Sequence, residues 1–510
     1  MRDQREQLHR SIWAIAEDLR GSVDGWDFKN YVLGTMFYRF LSEELSRAAD
    51  AMLSDVCYQD LTAAEAERLR EPLIRETGCF LLPQELFSRV QAQKSDHLGA
   101  LLEGIFHRIE HSAAGTASES SFQGLFDDFD VRSNKLGTTQ ARRSEKLQRL
   151  LDGIADMKLG SMADHEIDAF GDAYEFLMTM YAGNAGKSGG EFFTPVEVSE
   201  LLTRLGTLGR TEINRVYDPA CGSGSLLLQA GKALGPESVR GGFYGQEINV
   251  TTYNLCRINL LLHGVRYDRL HIACEDTLLH PRFREDGPFD LIVSNPPYTV
   301  RWPGEDRPEL LQDARFAPAG VLAPRSKADL AFVLHSLSLL SDTGTAAIVC
   351  FPGVLYRGGA EQKIRQYLVE GNVIDSVIQL PAGLFFGTMV STCILLLRKQ
   401  RTDPRILLID ASREFERTGS RSRLTQPYRD KILDVCAHRR EISGFSVLAA
   451  PEQVRQQKFS LTVSAYVEQT PETEQTDPAA LREELARIVV RENELRARAD
   501  RILDQVLKQP

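Results

Sequence analysis

The sequence has few of the features that mark secreted, membrane or disulfide-bonded proteins. Its eight cysteines are scattered and form no Cys-x-x-Cys pair, so we expect reduced and mostly buried thiols. No apolar run reaches membrane-spanning length, and the N-terminus has no apolar stretch of the kind that signal peptides carry. These absences predict a cytoplasmic protein with no membrane partner.

Two catalytic motifs begin in the sequence but are not completed. His165-Glu166 lacks the second histidine of a zinc-binding helix, because Ala169 stands at that position. The Gly186-Lys187-Ser188 triplet lacks the earlier glycine of a phosphate-binding loop, where Tyr181 stands instead. We therefore expect neither a metal site nor a nucleotide-hydrolysing motor in this chain.

The chain also lacks an excess of basic residues. It has 60 lysines and arginines against 71 acidic residues, a net charge of −11. Contacts with DNA phosphates need concentrated basic side chains, so any DNA binding requires that these cluster in space or that a partner supplies cations. At 510 residues the chain exceeds one typical core, which predicts two or three domains.

Two apolar runs stand out, because each stops abruptly at polar, glycine or proline residues. The first leads into Asp218-Pro219-Ala220-Cys221-Gly222-Ser223-Gly224, and the second into Asn295-Pro296-Pro297-Tyr298. Each pattern is typical of a buried strand that ends in a loop. Ligands of open α/β sheets bind just beyond the carboxyl ends of the strands, so these two loops can form adjacent walls of one site.

Hydrogen-bond acceptors at three successive strand ends indicate a nucleoside ligand. Gly222 and Gly224 allow a ligand to lie against the main chain, although a glycine-rich turn can also serve strand-to-helix packing alone. Glu247, at the end of the next predicted strand, is placed to accept from ribose hydroxyls. Asp276, after a third strand, can accept from the exocyclic amine of a purine. We expect a nucleoside to bind here.

The Asn295–Tyr298 loop indicates which chemistry takes place. Prolines make a poor strand continuation, and a rigid turn would explain them but not the flanking Asn295 and Tyr298. An amine conjugated to a ring is a weak nucleophile because its lone pair is delocalised. The Asn295 side-chain oxygen and the Pro296 carbonyl can both accept from such an amine, and Tyr298 can stack on the ring. Proline rigidity keeps these acceptors preorganised.

These two loops resemble those of the amino-group DNA methyltransferases that use S-adenosylmethionine. Further segments narrow the likeness to the modification subunit of type I restriction–modification systems. They are Gly25-Trp26-Asp27-Phe28, Phe37-Tyr38-Arg39-Phe40, Glu191-Phe192-Phe193-Thr194-Pro195 and Leu355-Tyr356-Arg357-Gly358-Gly359. Many relatives carry Phe where this chain has Tyr298, and either ring can stack.

The resemblance implies an α/β, Rossmann-like methyltransferase domain with a mostly parallel sheet of the seven-stranded type. Apolar residues at helical spacing, such as Leu98, Leu102, Ile105 and Ile109, add an N-terminal α-helical domain. We expect the helical domain at 1–158, the catalytic domain at 159–445, a linker at 446–477 and a coiled-coil-like helix at 478–510. That last helix has heptad spacing, which favours contact with another subunit over docking onto its own domain.

The implied reaction moves a methyl group from S-adenosylmethionine to N6 of an adenine flipped out of double-stranded DNA, with no metal needed. The resemblance also implies a specificity subunit that chooses the site, a restriction subunit that cleaves, and a second copy of this chain in the complex. The expected catalytic residues are Asn295, Pro296, Pro297 and Tyr298. The expected cofactor-binding residues are Glu191, Phe192, Phe193, Thr194, Pro195, Asp218, Pro219, Ala220, Gly222, Ser223, Gly224, Glu247, Asp276 and Thr277.

Several alternatives stay open at this point. The same loop can serve cytosine N4, an RNA base or a protein amide, and a catalytically silent scaffold that binds cofactor is a further possibility. A long irregular insert, residues 299–326, follows the loop, and Arg301, Trp302 and Arg325 within it are candidates for DNA contact. A solvated loop is the alternative for that insert.

Overall fold

A computed structural model of the chain describes residues 8–12, 15, 25–157, 169–184, 194–235, 238–385, 389–418, 421–468 and 478–507. The chain divides into two compact units, Met1–Val467 and Glu468–Pro510. Within the described residues, no helix has both the length and the apolar character needed to cross a membrane.

The first part of the larger unit is helical, as the spacing of its apolar residues predicts. Leu98, Leu102, Ile105 and Ile109 recur every three or four residues and form the buried face of α5. The helices are α1 (Gly25–Met52), α2 (Ala63–Glu67), α3 (Arg70–Thr77), α4 (Phe87–Gln93), α5 (Leu98–Ser112), α6 (Glu119–Phe122) and α7 (Gln140–Ala155). Their buried side chains join the same hydrophobic core as part of the sheet that follows.

The rest of the larger unit is built on a nine-stranded sheet with the order β11-β8-β6-β7-β5-β4-β1-β2-β3. Its strands are β1 (Ile213–Asp218), β2 (Val239–Glu247), β3 (Leu270–Cys274), β4 (Phe289–Ser294), β5 (Leu340–Cys350), β6 (Ile374–Gln379), β7 (Cys393–Leu397), β8 (Ile406–Asp410) and β11 (Ser446–Ala449). A separate hairpin pairs β9 (Glu416–Thr418) with β10 (Arg421–Arg423).

Helices cover the strands, which explains why the central strands are buried almost throughout. They are α8 (Ala169–Asn184), α9 (Val196–Gly206), α10 (Ser225–Leu234), α11 (Val250–Leu262), α12 (Asp329–Leu339), α13 (Ala360–Glu370), α14 (Gln426–His438) and α15 (Pro451–Gln456). The strand–helix alternation confirms the predicted α/β class.

Strand direction decides where a site can form. Strand β7 is antiparallel to both β5 and β6, and β11 is antiparallel to β8, whereas the other neighbours run parallel. The carboxyl ends of β1 to β6 and of β8 therefore share one edge of the sheet. Strands β6 and β7 pair antiparallel inside the sheet, because β8 and β11 extend it beyond them.

Two segments are more ordered than the sequence predicts. Residues 446–467, expected as the start of a linker, contain β11 and α15 and belong to the larger unit. In the insert at 299–326, the side chains of Trp302, Leu310, Phe316 and Leu322 are buried in the hydrophobic core that covers one face of the sheet. The insert is therefore a folded part of the catalytic domain that contains only short 3₁₀ turns, as expected of an irregular segment, and the alternative of a merely solvated loop is wrong.

The second unit contains α16 (Pro478–Leu507), a helix where the heptad pattern predicts one. Leu485, Ile488 and Leu495 of this helix are 60%, 56% and 58% exposed, and all three belong to the predicted seam. The role of the helix in subunit contact stays a prediction.

Candidate active site

Asp218 ends β1 and lies at the centre of the candidate site. Its side chain is fully buried, and its Oδ1 accepts from the Ala220 amide at 3.0 Å and from the Ser294 hydroxyl at 2.8 Å. Ser294 is the last residue of β4 and directly precedes Asn295, so this bond places the two loops of the sequence analysis side by side. The other carboxylate oxygen, Oδ2, is buried without a hydrogen-bond partner among the described residues.

Burial has a strong electrostatic effect on this carboxyl. Removal from water raises the pKa of Asp218 from its ordinary value of 3.8 to about 7, and the negative charge of Glu247 also raises it. The two hydrogen bonds from Ala220 and Ser294 act in the opposite direction, because they favour the charged form. Asp218 is thus a carboxylate whose unpaired oxygen would be stabilised by a nearby cation.

The glycine loop adopts backbone angles that favour glycine. Gly222 has φ of 53° and Gly224 has φ of 79° at the start of α10. A Cβ on Gly224 would lie 2.8 Å from the Cys256 sulfur, so α10 and α11 could not pack as they do with a larger residue there. Ser223 between them is buried, and its carbonyl accepts from the Asn259 side chain at 2.8 Å.

Glu247 ends β2 and fastens the glycine loop. Its Oε2 accepts from the Gly222 amide at 3.0 Å, and its Oε1 accepts from the Asn249 amide at 2.9 Å. Burial raises the pKa of Glu247, while these backbone bonds lower it. Each oxygen keeps a second lone pair, so the carboxylate can still accept from a ligand hydroxyl.

The loop after β3 brings Asp276 and Thr277 to the same edge. Asp276 Oδ1 accepts from the amides of Leu278 at 2.9 Å and Leu279 at 3.1 Å, which fixes the loop and leaves Oδ2 for other donors. The Thr277 hydroxyl donates to the Pro219 carbonyl at 2.6 Å, so the loops after β1 and β3 are tied together. The predicted cofactor residues of three strands therefore converge.

Arg315 of the insert stabilises the loop after β3 through hydrogen bonds, a role that the sequence did not reveal. Its side chain is buried, forms an ion pair with Asp313 at 2.9 Å and donates to the carbonyls of Thr277 at 3.1 Å and Leu278 at 2.8 Å. It also lies 3.1 Å from Nδ1 of His335. A guanidinium can only donate, so this nitrogen of His335 accepts, and burial lowers the pKa of the ring to about 3.

Asn295 is held by two hydroxyl groups. Its amide nitrogen donates to Thr194 Oγ1 at 3.2 Å, and its Oδ1 accepts from the Tyr298 hydroxyl at 2.5 Å. The shorter contact suits an O–H···O bond and the longer one an N–H···O bond, which supports this orientation of the carboxamide. Among the described residues, no donor binds the Pro296 carbonyl. Pro296 is buried and Pro297 is exposed.

The chain enters α9 through Thr194 and Pro195. Pro195, not Thr194, occupies the N-cap position, and its carbonyl accepts from Val198 at 2.9 Å and Ser199 at 3.0 Å. Thr194 is released from capping and is 7% exposed, with its hydroxyl at Asn295. The other three residues of the predicted segment, at 191–193, lie outside the described residues.

Tyr298 lies partly buried beside an aromatic neighbour that the sequence did not indicate. The Phe385 ring meets it edge-on, with ring centroids 6.4 Å apart and an interplanar angle of 84°. Burial holds the pKa of the Tyr298 hydroxyl well above its usual range, so this group stays protonated and remains a donor to Asn295.

A strained residue follows Tyr298. Thr299 has φ of 53°, which is unfavourable for a β-branched side chain. Its amide donates to Asp329 Oδ2 at 3.2 Å, at the start of α12. Asp329 is 4% exposed, and burial raises its pKa. This contact fixes where the Asn295–Tyr298 loop ends.

The three residues predicted to contact DNA differ in their exposure to solvent. Trp302 is 6% exposed, packs edge-on against Phe316 and donates through Nε1 to the Pro324 carbonyl at 3.2 Å. The prediction that Trp302 faces DNA is therefore wrong, because apolar packing within the insert buries the ring. Arg325 is exposed but forms an ion pair with Asp306 at 3.0 Å, while Arg301 is exposed. Contact with DNA by these two arginines stays a prediction.

The residues present suit S-adenosylmethionine. This cofactor carries a cationic end, ribose hydroxyls and an exocyclic purine amine, all of which need acceptors. The ends of β1, β2 and β3 supply Asp218 with an unpaired buried oxygen, Glu247 with lone pairs to spare, and Asp276 with one oxygen outside the backbone bonds. Among the described residues there is no group of side chains that would hold a metal ion.

Comparison with known proteins agrees with this arrangement. Residues 165–475 match the family described as N-6 DNA Methylase, and residues 8–154 match the HsdM N-terminal domain. The chain is 44% identical to the type I restriction enzyme MpnII methylase subunit of Mycoplasma pneumoniae, over 99% of this chain and 97% of that protein.

Solved structures give the same result. The type I restriction-modification system methyltransferase subunit from Streptococcus thermophilus has a TM-score of 0.82 at 34% identity, covering 91% of this chain and 100% of that one. A chain from a structure of type I R-M complex assembly and conformational transition has a TM-score of 0.66 at 20% identity and covers 99% of both chains, which shows a shared fold.

Proposed function

The chain belongs to the N-6 DNA methylase family as a methylase subunit of the type I restriction–modification kind, and we propose that it methylates N6 of adenine in double-stranded DNA. One observation carries the proposal. Two acceptors, Asn295 Oδ1 and the Pro296 carbonyl, lie on a rigid loop directly beside the acidic site of Asp218. This is the arrangement that an amine needs in order to become a nucleophile next to a methyl donor.

The activation of the amine follows from hydrogen bonding. The N6 amine of adenine is planar because its lone pair is shared with the ring. Two acceptors placed at one nitrogen bind its two hydrogens and favour a pyramidal geometry, with the lone pair directed away from the ring plane. Asn295 and Pro296 would perform this role, because the Asn295 oxygen keeps one lone pair and the Pro296 carbonyl has no other partner among the residues that the structure describes.

S-adenosylmethionine, when bound, would supply an electrophilic methyl group. In this chain Asp218 would face its cationic part, Glu247 its ribose and Asp276 its purine amine. Attack would leave a positive charge on the methylated amine, which would then lose one of the two protons held by these acceptors to solvent, so no protein base is needed during attack. No metal enters this scheme.

The target base must leave the duplex to reach this loop. Rotating an adenine out of the helix costs a few kcal/mol of stacking and pairing. The Tyr298 ring, kept in place by the edge of Phe385, is the surface on which the base would stack. Stacking on an aromatic ring returns about 1–3 kcal/mol, which offsets much of that cost.

We further propose that this chain acts within a larger assembly. A separate specificity subunit would choose the DNA site, a restriction subunit would cleave, and two copies of this chain would join one specificity subunit. The exposed seam of Leu485, Ile488 and Leu495 on α16 supports a helix partner from another subunit.

The decisive experiment replaces Asn295 by Ala. We expect methyl transfer to duplex DNA by the complex with its specificity subunit to fall by at least about 100-fold, because a preorganised acceptor is removed. Binding of S-adenosylmethionine, measured by calorimetry, should not change. Asn214→Ala is the matched control, since that asparagine is exposed on the opposite end of β1. Loss of cofactor binding in Asn295→Ala, or unchanged methyl transfer, would refute the assigned role.

Cytosine N4 is the second candidate target, since it presents the same planar amine to the same loop. Digestion of the product DNA to nucleosides, followed by mass analysis, separates the two. N6-methyladenine is the expected product, and N4-methylcytosine alone would overturn the choice of base.

A further inference from the structure

The β9–β10 hairpin lies at the rim of the proposed base pocket. The amide of Ser422 in β10 donates to the Gly383 carbonyl at 3.2 Å, and the Arg421 side chain donates to the Leu384 carbonyl at 3.3 Å. The next residue in the chain is Phe385, whose ring packs against Tyr298. The hairpin also follows β8, which ends at the same edge of the sheet as β4. It is thus placed next to the residues that support Tyr298, on which the base would stack.

Two arginines of this hairpin, Arg417 and Arg423, are exposed and have no acidic partner in the part of the chain that the structure describes. Among the described residues, no carboxylate oxygen lies within 4.0 Å of either guanidinium. Glu416 stands opposite Arg423 in the hairpin register, but its carboxylate accepts from the Thr425 hydroxyl at 3.3 Å. Both arginines therefore keep their full complement of donors for a ligand.

Several other exposed arginines of the larger unit are instead paired with carboxylates. Arg132 pairs with Glu103 at 2.8 Å, Arg149 with Glu145 at 2.7 Å, and Arg240 with Glu212. Within the insert, Arg307 binds Glu309 at 2.6 Å and Arg325 binds Asp306. A phosphate that binds a paired arginine must compete with the carboxylate, whereas at the hairpin there is no such competition.

The register sets the directions of the two side chains. Arg417 lies opposite Ser422 and Arg423 lies opposite Glu416, so the two arginines occupy neighbouring positions on opposite strands. Residues directly opposite in an antiparallel pair share a face, and consecutive residues alternate, which places Arg417 and Arg423 on opposite faces of the ribbon. The two arginines would therefore bind different phosphates, one on each side of the ribbon.

We propose that strands β9 and β10 bind the DNA phosphate backbone beside the everted base, with Arg417 and Arg423 as the phosphate ligands. The inference rests on the proposed function for the identity of the nucleic acid. A chain with net charge −11 needs such local positive charge to approach DNA. Phosphate contacts fix the position of a duplex without reading its sequence, which suits a subunit whose site is chosen elsewhere.

The test measures how DNA affinity depends on salt. Full-length chain, unmodified or with Arg417→Gln and Arg423→Gln together, is titrated into a fluorescent duplex of arbitrary sequence at several salt concentrations. Each phosphate contact contributes about 0.9 to the slope of log affinity against log salt concentration, so the double variant should lose about 1.8 from that slope. The two single variants should each lose about half of this. Arg417→Lys with Arg423→Lys should keep the slope, because the charge remains.

Arg149→Gln with Arg240→Gln is the matched control, since it removes two exposed arginines that are already paired with carboxylates. A hairpin variant whose slope equals that of this control would overturn the proposal, as would an unmodified chain whose duplex affinity does not depend on salt. Calorimetric binding of S-adenosylmethionine should be the same for all variants, which verifies their fold. If the unmodified chain binds DNA through the hairpin but the assembled complex transfers no methyl group, the proposed function fails and the phosphate site stands.

Discussion

Replacing Asp218 by Asn should make the protein more stable at alkaline pH while it weakens cofactor binding. The native carboxyl is fully buried, and its pKa is raised from 3.8 to about 7. The replacement keeps an oxygen to accept from Ala220 and Ser294 but carries no charge. It therefore separates the electrostatic cost of the carboxylate from its hydrogen bonds.

The sign of the effect follows from proton binding. The folded state holds a proton on Asp218 up to about pH 7, whereas the unfolded chain releases it near pH 4, so the unfolding free energy falls as the pH rises between these values. One pKa unit corresponds to about 1.4 kcal/mol, and the native protein should lose about 3 kcal/mol more than the variant between about pH 5 and about pH 8. The introduced amide leaves N–H donors unpaired at a cost of about 1–3 kcal/mol, but this cost does not change with pH.

Urea denaturation at a series of pH values measures this difference, with Asp156→Asn as the control because that carboxyl is exposed. The second measurement is the affinity for S-adenosylmethionine, determined by calorimetry at the same pH values. A cation favours the ionised form of Asp218, so the affinity for S-adenosylmethionine should rise through about pH 7 in the native protein and stay low in the variant. Parallel stability curves for the native protein and Asp218→Asn would refute the reasoning.

Two more predictions concern the Asn295–Tyr298 loop. Tyr298→Phe removes the donor to Asn295 Oδ1 but keeps the ring, so single-turnover methyl transfer should fall by less than about 10-fold. Tyr298→Ala also removes the stacking surface, so its methyl transfer should fall further. Equal losses in the two variants would assign the role to the hydroxyl. Asp329→Ala leaves the strained Thr299 backbone unsupported and should lower both the melting temperature and the methyl-transfer activity. Adding Thr299→Gly to that variant should restore part of both, because glycine adopts φ of 53° without strain. Failure of this rescue would show that strain at Thr299 is not what Asp329 opposes.

The strand ends were predictable because their signal is local. Asp218, Glu247 and Asn295 each follow an apolar run within a few residues, and the structure places each at or directly after the end of a strand. The parallel direction of these strands then brings the residues to one edge. No long-range information is needed for this step beyond the alternation of strands and helices.

Contacts across the chain could not be predicted in this way. Thr194 and Asn295 are 101 residues apart, and nothing in the local pattern of either shows that they meet. Phe385 likewise reaches Tyr298 only because β6 and β4 end at the same edge of the sheet. The prediction that Trp302 contacts DNA was wrong for a related reason. An irregular segment has no periodicity from which the buried side chains could be inferred.

The orientation of Asn295 connects these long-range contacts to the chemistry. A carboxamide that rotates by half a turn would present N–H donors to the target amine, and two donors repel. The Tyr298 hydroxyl, which burial keeps protonated, can donate to Oδ1, and Thr194 Oγ1 accepts from the amide nitrogen. Together they favour the orientation in which the remaining lone pair of Oδ1 is free for the amine. Combining Thr194→Val with Tyr298→Phe in this chain should therefore reduce methyl transfer by more than the product of the two single effects, and a strictly multiplicative result in single-turnover assays would show that the two hydroxyls do not act on a common group.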